Sequence, residues 1–389
     1  MSAETAASMP LPQGFRAAGV TAGLKSSGRP DLALLVNDGP HHHAAAVFTS
    51  NRVVAAPVTW SRQVVGDGRV DAVVLNSGGA NACTGPQGFL DTHATAEHVA
   101  AALGTAAADV AVCSTGLIGE LLPMDKVMAG IDAAVLALGT TGHDDAAHAI
   151  MTTDTVPKRA HHNGDGWSVW GMAKGAGMIA PALATMLVVV VTDAVAEPAG
   201  LDAALRAATA HTFDRIDSDG CQSTNDTVLV LASGASGVAP TPDELERAFT
   251  MVCDDLARGI IADAEGANHD IEIVVESAAS VDDALEVGRA IARNNLFKCA
   301  IFGADPNWGR VLAAVGTTTA EFDPDRLDVS MNGVQVCRSG GVGDDRALVD
   351  LSARGVQVVV QLHAGAHSAT IWTNDLTHDY VHENSAYST

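Results

Sequence analysis

The stretch that says most about the fold is Lys174–Ala194, which reads KGAGMIAPALATMLVVVVTDA. A glycine-rich loop leads through Pro181 to Thr185, and a continuous run of Met, Leu and Val follows. A short apolar run of this kind, rich in β-branched residues, indicates a buried core strand. Thr185 therefore stands at the mouth of a core strand, directly after small residues that let another group approach the backbone.

On both sides of this segment, short β-type runs alternate with helical patterns. The predicted strands are Leu32 to Val36, Ala45 to Phe48, Val70 to Leu75, Val110 to Cys113, Met186 to Thr192, Thr227 to Leu231, Ile271 to Glu276, Val356 to Leu362 and Ala369 to Thr373. The predicted helices are Ala94 to Leu103, Asp202 to Ala210, Pro242 to Ala264 and Val281 to Asn294. This alternation is typical of an α/β protein with layered sheets. We expect a larger domain over residues 1–277, which contains the Thr185 segment, and a smaller C-terminal domain over residues 278–389.

The composition excludes several classes of partner. The 389-residue chain has 22 basic and 46 acidic residues, a formal net charge of −24, so nucleic acid and anionic membranes are not expected partners. No apolar run approaches the ~20 residues of a membrane span, and the N-terminus lacks the pattern of a signal peptide. The six cysteines show no zinc spacing and are expected as buried free thiols, and no metal site is expected. The histidine runs at 41–43 and 161–162 are predicted to lie in solvated loops. These features predict a soluble, cytoplasmic protein.

Thr185 has the surroundings of a nucleophile. A threonine hydroxyl needs a base beside it, and the α-amine of an N-terminal threonine can be that base. This requires the Ala184–Thr185 bond to break first: the hydroxyl attacks the preceding carbonyl, and water hydrolyses the resulting ester. The simpler alternative is a buried strand with a threonine at its edge, and this segment alone favours that alternative.

Further motifs carry polar groups at turns. The segment VAVCSTGLIG, Val110 to Gly119, predicts a strand that ends at Thr115 and Gly116, where a hydroxyl and a backbone N–H could stabilise an oxyanion. A plain glycine turn is the alternative; a phosphate loop lacks its GK[ST] ending. In DAEGAN, Asp263 to Asn268, the glycine either caps the long helix or leaves Glu265 to bind a substrate amine.

Together and in this order, the motifs resemble one family, the ornithine acetyltransferases, also called bifunctional glutamate N-acetyltransferases. The resemblance extends from GFRAAGVTAGLK near the start to ENSAYST at the end. Its most specific parts are KGAGMIAP followed by ATML, together with STGLIG, IMTTD, STNDT (Ser223 to Thr227) and DPNWGR.

The resemblance implies a fold, a processing event and a set of site residues. The implied fold is a four-layer αββα sandwich with a smaller C-terminal α/β domain. Self-cleavage between Ala184 and Thr185 would give an α chain of residues 1–184 and a β chain of residues 185–389, assembled as an α2β2 heterotetramer. Thr185 matches the nucleophile, with Thr115 and Gly116 as the oxyanion hole. The positions that match substrate-binding residues are Thr152, Lys174, Thr185, Glu265, Asn384 and Thr389.

The implied activity is the transfer of acetyl from N2-acetyl-L-ornithine to L-glutamate through an acetyl-threonine intermediate, a ping-pong reaction of arginine biosynthesis. It needs no metal and no tightly bound cofactor. The sequence leaves open whether acetyl-CoA also serves as a donor, and whether the pathway is arginine synthesis or a specialised-metabolite route. Two alternatives also stay open: an amidase or aminopeptidase with the same acyl-threonine intermediate, and a metabolite-binding relative that is never cleaved. The chain departs from the family pattern at Asn268 and His269, where Thr-Lys is common, and in PALATML, where PNMATML is usual.

Overall fold

The computed structural model describes residues 9–180 and 186–386. Its strands are β1 Phe15–Val20, β2 Leu32–Asn37, β3 His43–Phe48, β4 Ala72–Asn76, β5 Val110–Ser114, β6 Lys158–Asn163, β7 Ser168–Lys174, β8 Leu187–Thr192, β9 Thr227–Ala232, β10 Asp270–Ala278, β11 Asp328–Met331, β12 Val334–Arg338, β13 Gly341–Val342, β14 Gly355–Gln361 and β15 His367–Asn374. Its α-helices are α1 Ala56–Val64, α2 Gly85–Leu103, α3 Met124–Ala137, α4 His143–Ala149, α5 Pro198–His211, α6 Pro242–Ala262, α7 Val281–Ala292, α8 Asn295–Phe302, α9 Trp308–Val315 and α10 His378–Ala386.

Two sheets with apolar residues on both faces form the main body. The first has the strand order β1-β2-β4-β5 and the second β3-β9-β8-β7-β6. Along β2, Ala33 and Leu35 pack between the two sheets, while the alternate residues pack with α2 and α3. Along β8, Val189 and Val191 pack between the sheets, while Val188 and its alternates pack with α5 and α6. Because successive side chains point to opposite faces, this burial makes four layers in the order helix, sheet, sheet, helix. The predicted αββα sandwich is confirmed.

A third sheet forms the smaller C-terminal region, with the strand order β13-β12-β11-β14-β10-β15. It packs with α7 and α9 around its own apolar core. Strand β10 is parallel to β14 and antiparallel to β15, so it belongs to this sheet. The boundary predicted after Ser277 would cut β10 from its neighbours, and it has to move to the start of β10 at Asp270. The sequence pattern of a strand does not reveal which sheet the strand joins.

The predicted strands and helices all occur, with ends shifted by a few residues or, in α2, by more. Helices α6 and α7 have acidic first turns, and a capping box between Thr241 and Glu244 starts α6. The histidine prediction was wrong in part, because His161 and His162 lie in β6, opposite Trp170 and Val169 of β7, and His43 begins β3. The thiols are free, but Cys83, Cys221 and Cys299 are exposed.

No helix within residues 9–180 and 186–386 is long and apolar enough to cross a membrane. In the same part of the chain, no cluster of three histidine, cysteine, aspartate or glutamate side chains has the arrangement of a metal site.

Candidate active site

The predicted oxyanion segment lies where β5 leaves the first sheet. The Thr115 N–H donates to the Asn76 carbonyl (3.0 Å), and the Gly79 N–H donates to the Thr115 carbonyl (3.0 Å), so the ends of β4 and β5 are held together. Gly116 has a φ of +131°, and a Cβ there would lie 2.8 Å from the Gly79 nitrogen. Only glycine fits this close approach of two backbone segments. The turn thus presents the buried Thr115 hydroxyl next to a backbone that no larger residue could adopt.

Lys174, the last residue of β7, connects the second sheet to this turn. Its side chain is buried, and its Nζ donates to the Thr115 hydroxyl at 3.5 Å. Burial lowers the pKa of Lys174, and the charges of Asp154, Asp226 and Glu265 oppose that shift. In the strand register Lys174 lies opposite Leu187, the first residue of β8. The glycine-rich loop, the start of the core strand and the oxyanion segment therefore meet at one place.

A buried ion-pair cluster of Asp154, Lys158 and Asp263 lies behind Lys174. Lys158 Nζ is 2.5 Å from a carboxylate oxygen of each aspartate, and it also donates to the Gly175 carbonyl at 3.1 Å. Asp154 accepts the N–H groups of Thr152 (2.9 Å) and Gly175 (2.7 Å).

The same cluster keeps Asp154 ionised. Burial raises the pKa of Asp154, but the charges of Lys174 and Lys158 and the hydrogen bonds from Lys158 and the Thr152 amide outweigh burial and lower it to about 2. The cluster joins three segments that carry predicted substrate-binding residues, namely Thr152, Lys174 and Glu265.

Glu265 lies on the other side of the glycine-rich loop. Its N–H donates to the Ala176 carbonyl (2.9 Å), and its carboxylate accepts the side-chain amide of Asn384 (2.9 Å). A Cβ at Gly177 would lie 2.7 Å from that carboxylate. The C-terminal segment therefore returns to the site as α10, and the loop carries glycine where it passes Glu265.

Gly266 is not the cap of the long helix. Helix α6 ends at Ala262, and Asp263 is its cap residue. Gly266 has a φ of +63°, and a Cβ there would lie 2.2 Å from the backbone nitrogen of Tyr380. This glycine lets α10 approach Glu265.

The structure also identifies polar residues to which the sequence motifs gave no role. Lys25 Nζ donates to the Met151 carbonyl (2.5 Å), next to Thr152, and burial lowers its pKa to about 8. Asn225 donates to the carbonyl of Ser114, next to Thr115, and Asp226 accepts the N–H of Met186. Lys25 lies in GFRAAGVTAGLK and the other two in STNDT, so the motifs were visible in the sequence, but their contacts are between distant segments.

Two cavities bear on the location of the site. A narrow cavity of about 60 Å³ adjoins Glu265 and is also lined by Asp219, Lys298 and Tyr380. Burial raises the pKa of Asp219 to about 6 and lowers the pKa of Lys298 to about 8. An open depression of about 560 Å³ along β3 is larger but contains none of the predicted site residues.

Of the predicted site residues, the structure brings together Thr115, Gly116 and Lys174, and separately pairs Glu265 with Asn384. Thr152 is linked to this group through Asp154. Ala184, Thr185 and Thr389 lie outside the described residues.

Comparison with known proteins identifies the family to which this site belongs. A model of the ArgJ family matches residues 16–389. The chain belongs to the ArgJ family. The ArgJ proteins of Streptomyces coelicolor and Thermobifida fusca, each named arginine biosynthesis bifunctional protein, are 66% and 64% identical to it. The alignments cover 97% of this chain and 98% of the first relative, and 98% of this chain and 100% of the second.

A solved structure of an ornithine acetyltransferase from Mycobacterium tuberculosis, complexed with ornithine, is 60% identical over the matched part. The match covers 46% of this chain and 96% of that chain, with a TM-score of 0.44. Membership of the ArgJ family confirms the resemblance found in the sequence, and with it the prediction of an acyltransferase of arginine biosynthesis.

Proposed function

We propose that this ArgJ-family enzyme cleaves itself between Ala184 and Thr185 and then transfers acetyl from N2-acetyl-L-ornithine to L-glutamate. The observation that carries the proposal is the contact between Lys174 and Thr115 across the two sheets. Lys174 lies opposite the first residue of β8. Thr185 is two residues before that strand in the sequence, so the segment that follows it begins next to the oxyanion turn.

The first stage of the proposal is self-cleavage. The Thr185 hydroxyl adds to the Ala184 carbonyl carbon, and the Thr115 hydroxyl and Gly116 N–H stabilise the oxyanion. The bond between the Ala184 carbonyl carbon and the Thr185 nitrogen then breaks as that nitrogen takes up a proton, which leaves an ester. Water hydrolyses the ester to the Ala184 carboxylate and the free Thr185 hydroxyl, and Thr185 is left as an N-terminal residue with a free α-amine.

The second stage is acetyl transfer. The Thr185 hydroxyl attacks the acetyl carbonyl of N2-acetyl-L-ornithine while its own α-amine takes the hydroxyl proton. The same oxyanion hole stabilises the tetrahedral intermediate, and ornithine leaves with the proton. The amine of L-glutamate then attacks the acetyl ester, giving N-acetyl-L-glutamate and free Thr185.

The charged groups around the turn suit amino-acid substrates. Lys174 supplies a cation for a carboxylate, while Glu265, held by Asn384, supplies an anion for an amine. Charge-assisted hydrogen bonds in a buried cleft orient such substrates for attack. We assign further binding contacts to Thr152 and Thr389.

The assembly and the second donor are also part of the proposal. The relatives' name, bifunctional, supports a second reaction, for which we propose acetyl-CoA as donor and no tightly bound cofactor or metal. We propose an α2β2 assembly of the two processed chains in the cytoplasm.

Intact mass under denaturing conditions tests the first stage. Wild-type protein should give two chains that end at Ala184 and begin at Thr185, and Thr185→Ala should stay whole. Thr192→Ala, which removes a buried threonine at the far end of β8, is the matched control and should be cleaved. A wild-type chain that stays whole would contradict the proposed mechanism at its first step.

The second stage is tested on the cleaved protein with N2-acetyl-L-ornithine labelled in the acetyl group. Label should appear in N-acetyl-L-glutamate only when L-glutamate is present, and acetyl-CoA should replace the donor. Release of labelled acetate at the same rate with and without L-glutamate would instead identify a hydrolase.

A further inference from the structure

The segment Ser223–Thr227, STNDT, is buried. Its first four residues precede β9, and its last residue, Thr227, begins that strand. The motif has no part in the reaction steps described above. Its side chains nevertheless bind backbone on both sides of the catalytic turn. Asn225 and Asp226, adjacent in the chain, make the contacts that matter here.

Asn225 binds the oxyanion segment. Its side-chain amide donates to the carbonyls of Ser114 (2.8 Å) and Ala80 (2.6 Å). Ser114 immediately precedes Thr115, and Ala80 immediately follows Gly79, whose N–H donates to the Thr115 carbonyl. One buried amide group therefore ties the end of β5 to the loop after β4, on either side of Thr115.

Asp226 binds the start of the nucleophile strand. A carboxyl oxygen of Asp226 accepts the Met186 N–H at 3.1 Å, and the Thr227 N–H donates to the Met186 carbonyl at 3.2 Å. Both polar backbone groups of the residue after Thr185 are thus held by consecutive residues of the motif. Asp226 is fully buried, and burial raises its pKa well above the ordinary range.

We propose that Asn225 and Asp226 are positioning residues that fix the nucleophile segment against the oxyanion hole. The inference rests on the proposed function, in which Thr185 is the nucleophile. The oxyanion turn follows β5 of the first sheet and Met186 precedes β8 of the second, so no strand ladder sets their separation. Asn225 and Asp226 are joined by one planar peptide, and because one binds the oxyanion side and the other binds Met186, they set that separation.

Loss of the contacts made by Asn225 and Asp226 should lower the rate of the chemical steps and leave the affinity for substrate largely unchanged. A misplacement of about 1 Å in a catalytic group can cost ~10²-fold in rate. Asn225→Ala should therefore slow self-cleavage and lower kcat of the cleaved enzyme roughly 100-fold, while KM for N2-acetyl-L-ornithine stays near the wild-type value.

Asn37→Ala is the matched control for Asn225→Ala. Asn37 is a buried asparagine at the end of β2, and its side-chain amide donates to the carbonyls of His41 (3.0 Å) and Ala232 (3.3 Å). It thus ties the first sheet to the opposite end of β9. Asn37→Ala loses the same kind of contact between sheets and should lower thermal stability with kcat retained. An equal loss of kcat in both variants would mean general loosening of the sandwich and overturn the inference, as would an Asn225→Ala enzyme with wild-type kcat.

Asp226 is tested by two substitutions. Asp226→Asn keeps an oxygen that can accept the Met186 N–H, so this variant should cleave itself and retain most of kcat. Asp226→Ala removes that acceptor and should lose both. If Asp226→Asn is as impaired as Asp226→Ala, the side chain acts through its proton or charge, and the positioning role is wrong. This pair keeps the inference testable even if Asn225→Ala fails to fold.

Failure of the two proposals looks different. If Thr185 is not a self-processing nucleophile, wild-type protein itself stays whole and inactive. If only the positioning role of Asn225 and Asp226 is wrong, the wild-type protein is cleaved and active, and the Asn225 and Asp226 variants behave like it.

Discussion

Replacement of Lys158 by methionine tests whether the buried ion-pair cluster supports the site. The Lys158 ammonium group lies between the carboxylates of Asp154 and Asp263. The exposed fractions of the three side chains are 3%, 0% and 8%, so solvent screens these charges poorly. Methionine has a similar length and no charge, and it leaves two buried carboxylates facing a vacated cation position.

The expected loss of stability is large. Removal of one partner of a buried ion pair typically costs about 3–5 kcal/mol, because the remaining charge is uncompensated. The cluster also holds the Thr152 and Gly175 amides through Asp154, so the KM of both amino-acid substrates should rise as the binding segments loosen. Lys158→Met combined with Asp263→Asn should recover part of the stability, since one uncompensated charge is then gone.

Urea unfolding followed by tryptophan fluorescence measures this effect. All proteins carry Thr185→Ala, so that each is expected to unfold as a single chain. Lys126→Met is the control, because the exposed Lys126 side chain donates to the Gly23 carbonyl rather than to a buried carboxylate, and it should change the free energy of unfolding by less than about 0.5 kcal/mol. A Lys158→Met protein within about 1 kcal/mol of its parent, the net value of one ordinary hydrogen bond, would refute the reasoning.

The same cluster predicts a dependence on acid. The folded-state pKa of Asp154 is about 2, against an ordinary value of 3.8, so the group binds its proton less readily when folded. Its contribution is therefore present above pH ~4 and is lost as the pH falls from ~4 to ~2. A shift of this size corresponds to about 2 kcal/mol at ~1.4 kcal/mol per pKa unit. In Lys158→Met the acid-dependent part of the unfolding free energy should be smaller, because Lys158 no longer helps Lys174 and the Thr152 amide to hold the ionised form.

Two glycine substitutions test the backbone approaches at the site. Gly116→Ala places a Cβ 2.8 Å from the Gly79 nitrogen and should lower the rate of acetyl transfer by about 10²–10³-fold. Gly119→Ala is the control: Gly119 also has a positive φ, but the space around it is open, so this variant should keep most of its activity. Gly266→Ala should push α10 away at Tyr380 and weaken the hold on Glu265. A hydrogen bond to a charged group is worth about 1.5–3 kcal/mol, so KM should rise by about tenfold or more, with self-cleavage unchanged by intact mass. Wild-type kinetics in either variant would contradict the corresponding contact.

Much of the secondary structure was determined locally and could be predicted from the sequence. The apolar run after Met186 predicted β8, and its burial on both faces follows from the absence of polar alternation. The start of α7 is also a local feature, because the acidic residues after Ser280 interact with free N–H groups of its first turn. The hydroxyl and glycine at the end of β5 were visible as a candidate oxyanion turn for the same reason: the turn is made by neighbours in sequence.

Only the tertiary structure decided which of these local pieces meet. Nothing near Lys158 in the sequence indicates that it neutralises Asp263, more than a hundred positions away. Nor does the pattern of β10 show that its partners are β14 and β15, which is why the domain boundary was misplaced. Likewise, Asn225 and Asp226 look like polar residues of a loop until the two sheets pack and bring the Ser114 carbonyl and the Met186 amide to them. Hydrophobic periodicity records which face of an element is buried, whereas a polar contact between distant segments depends on geometry that exists only once the layers have packed.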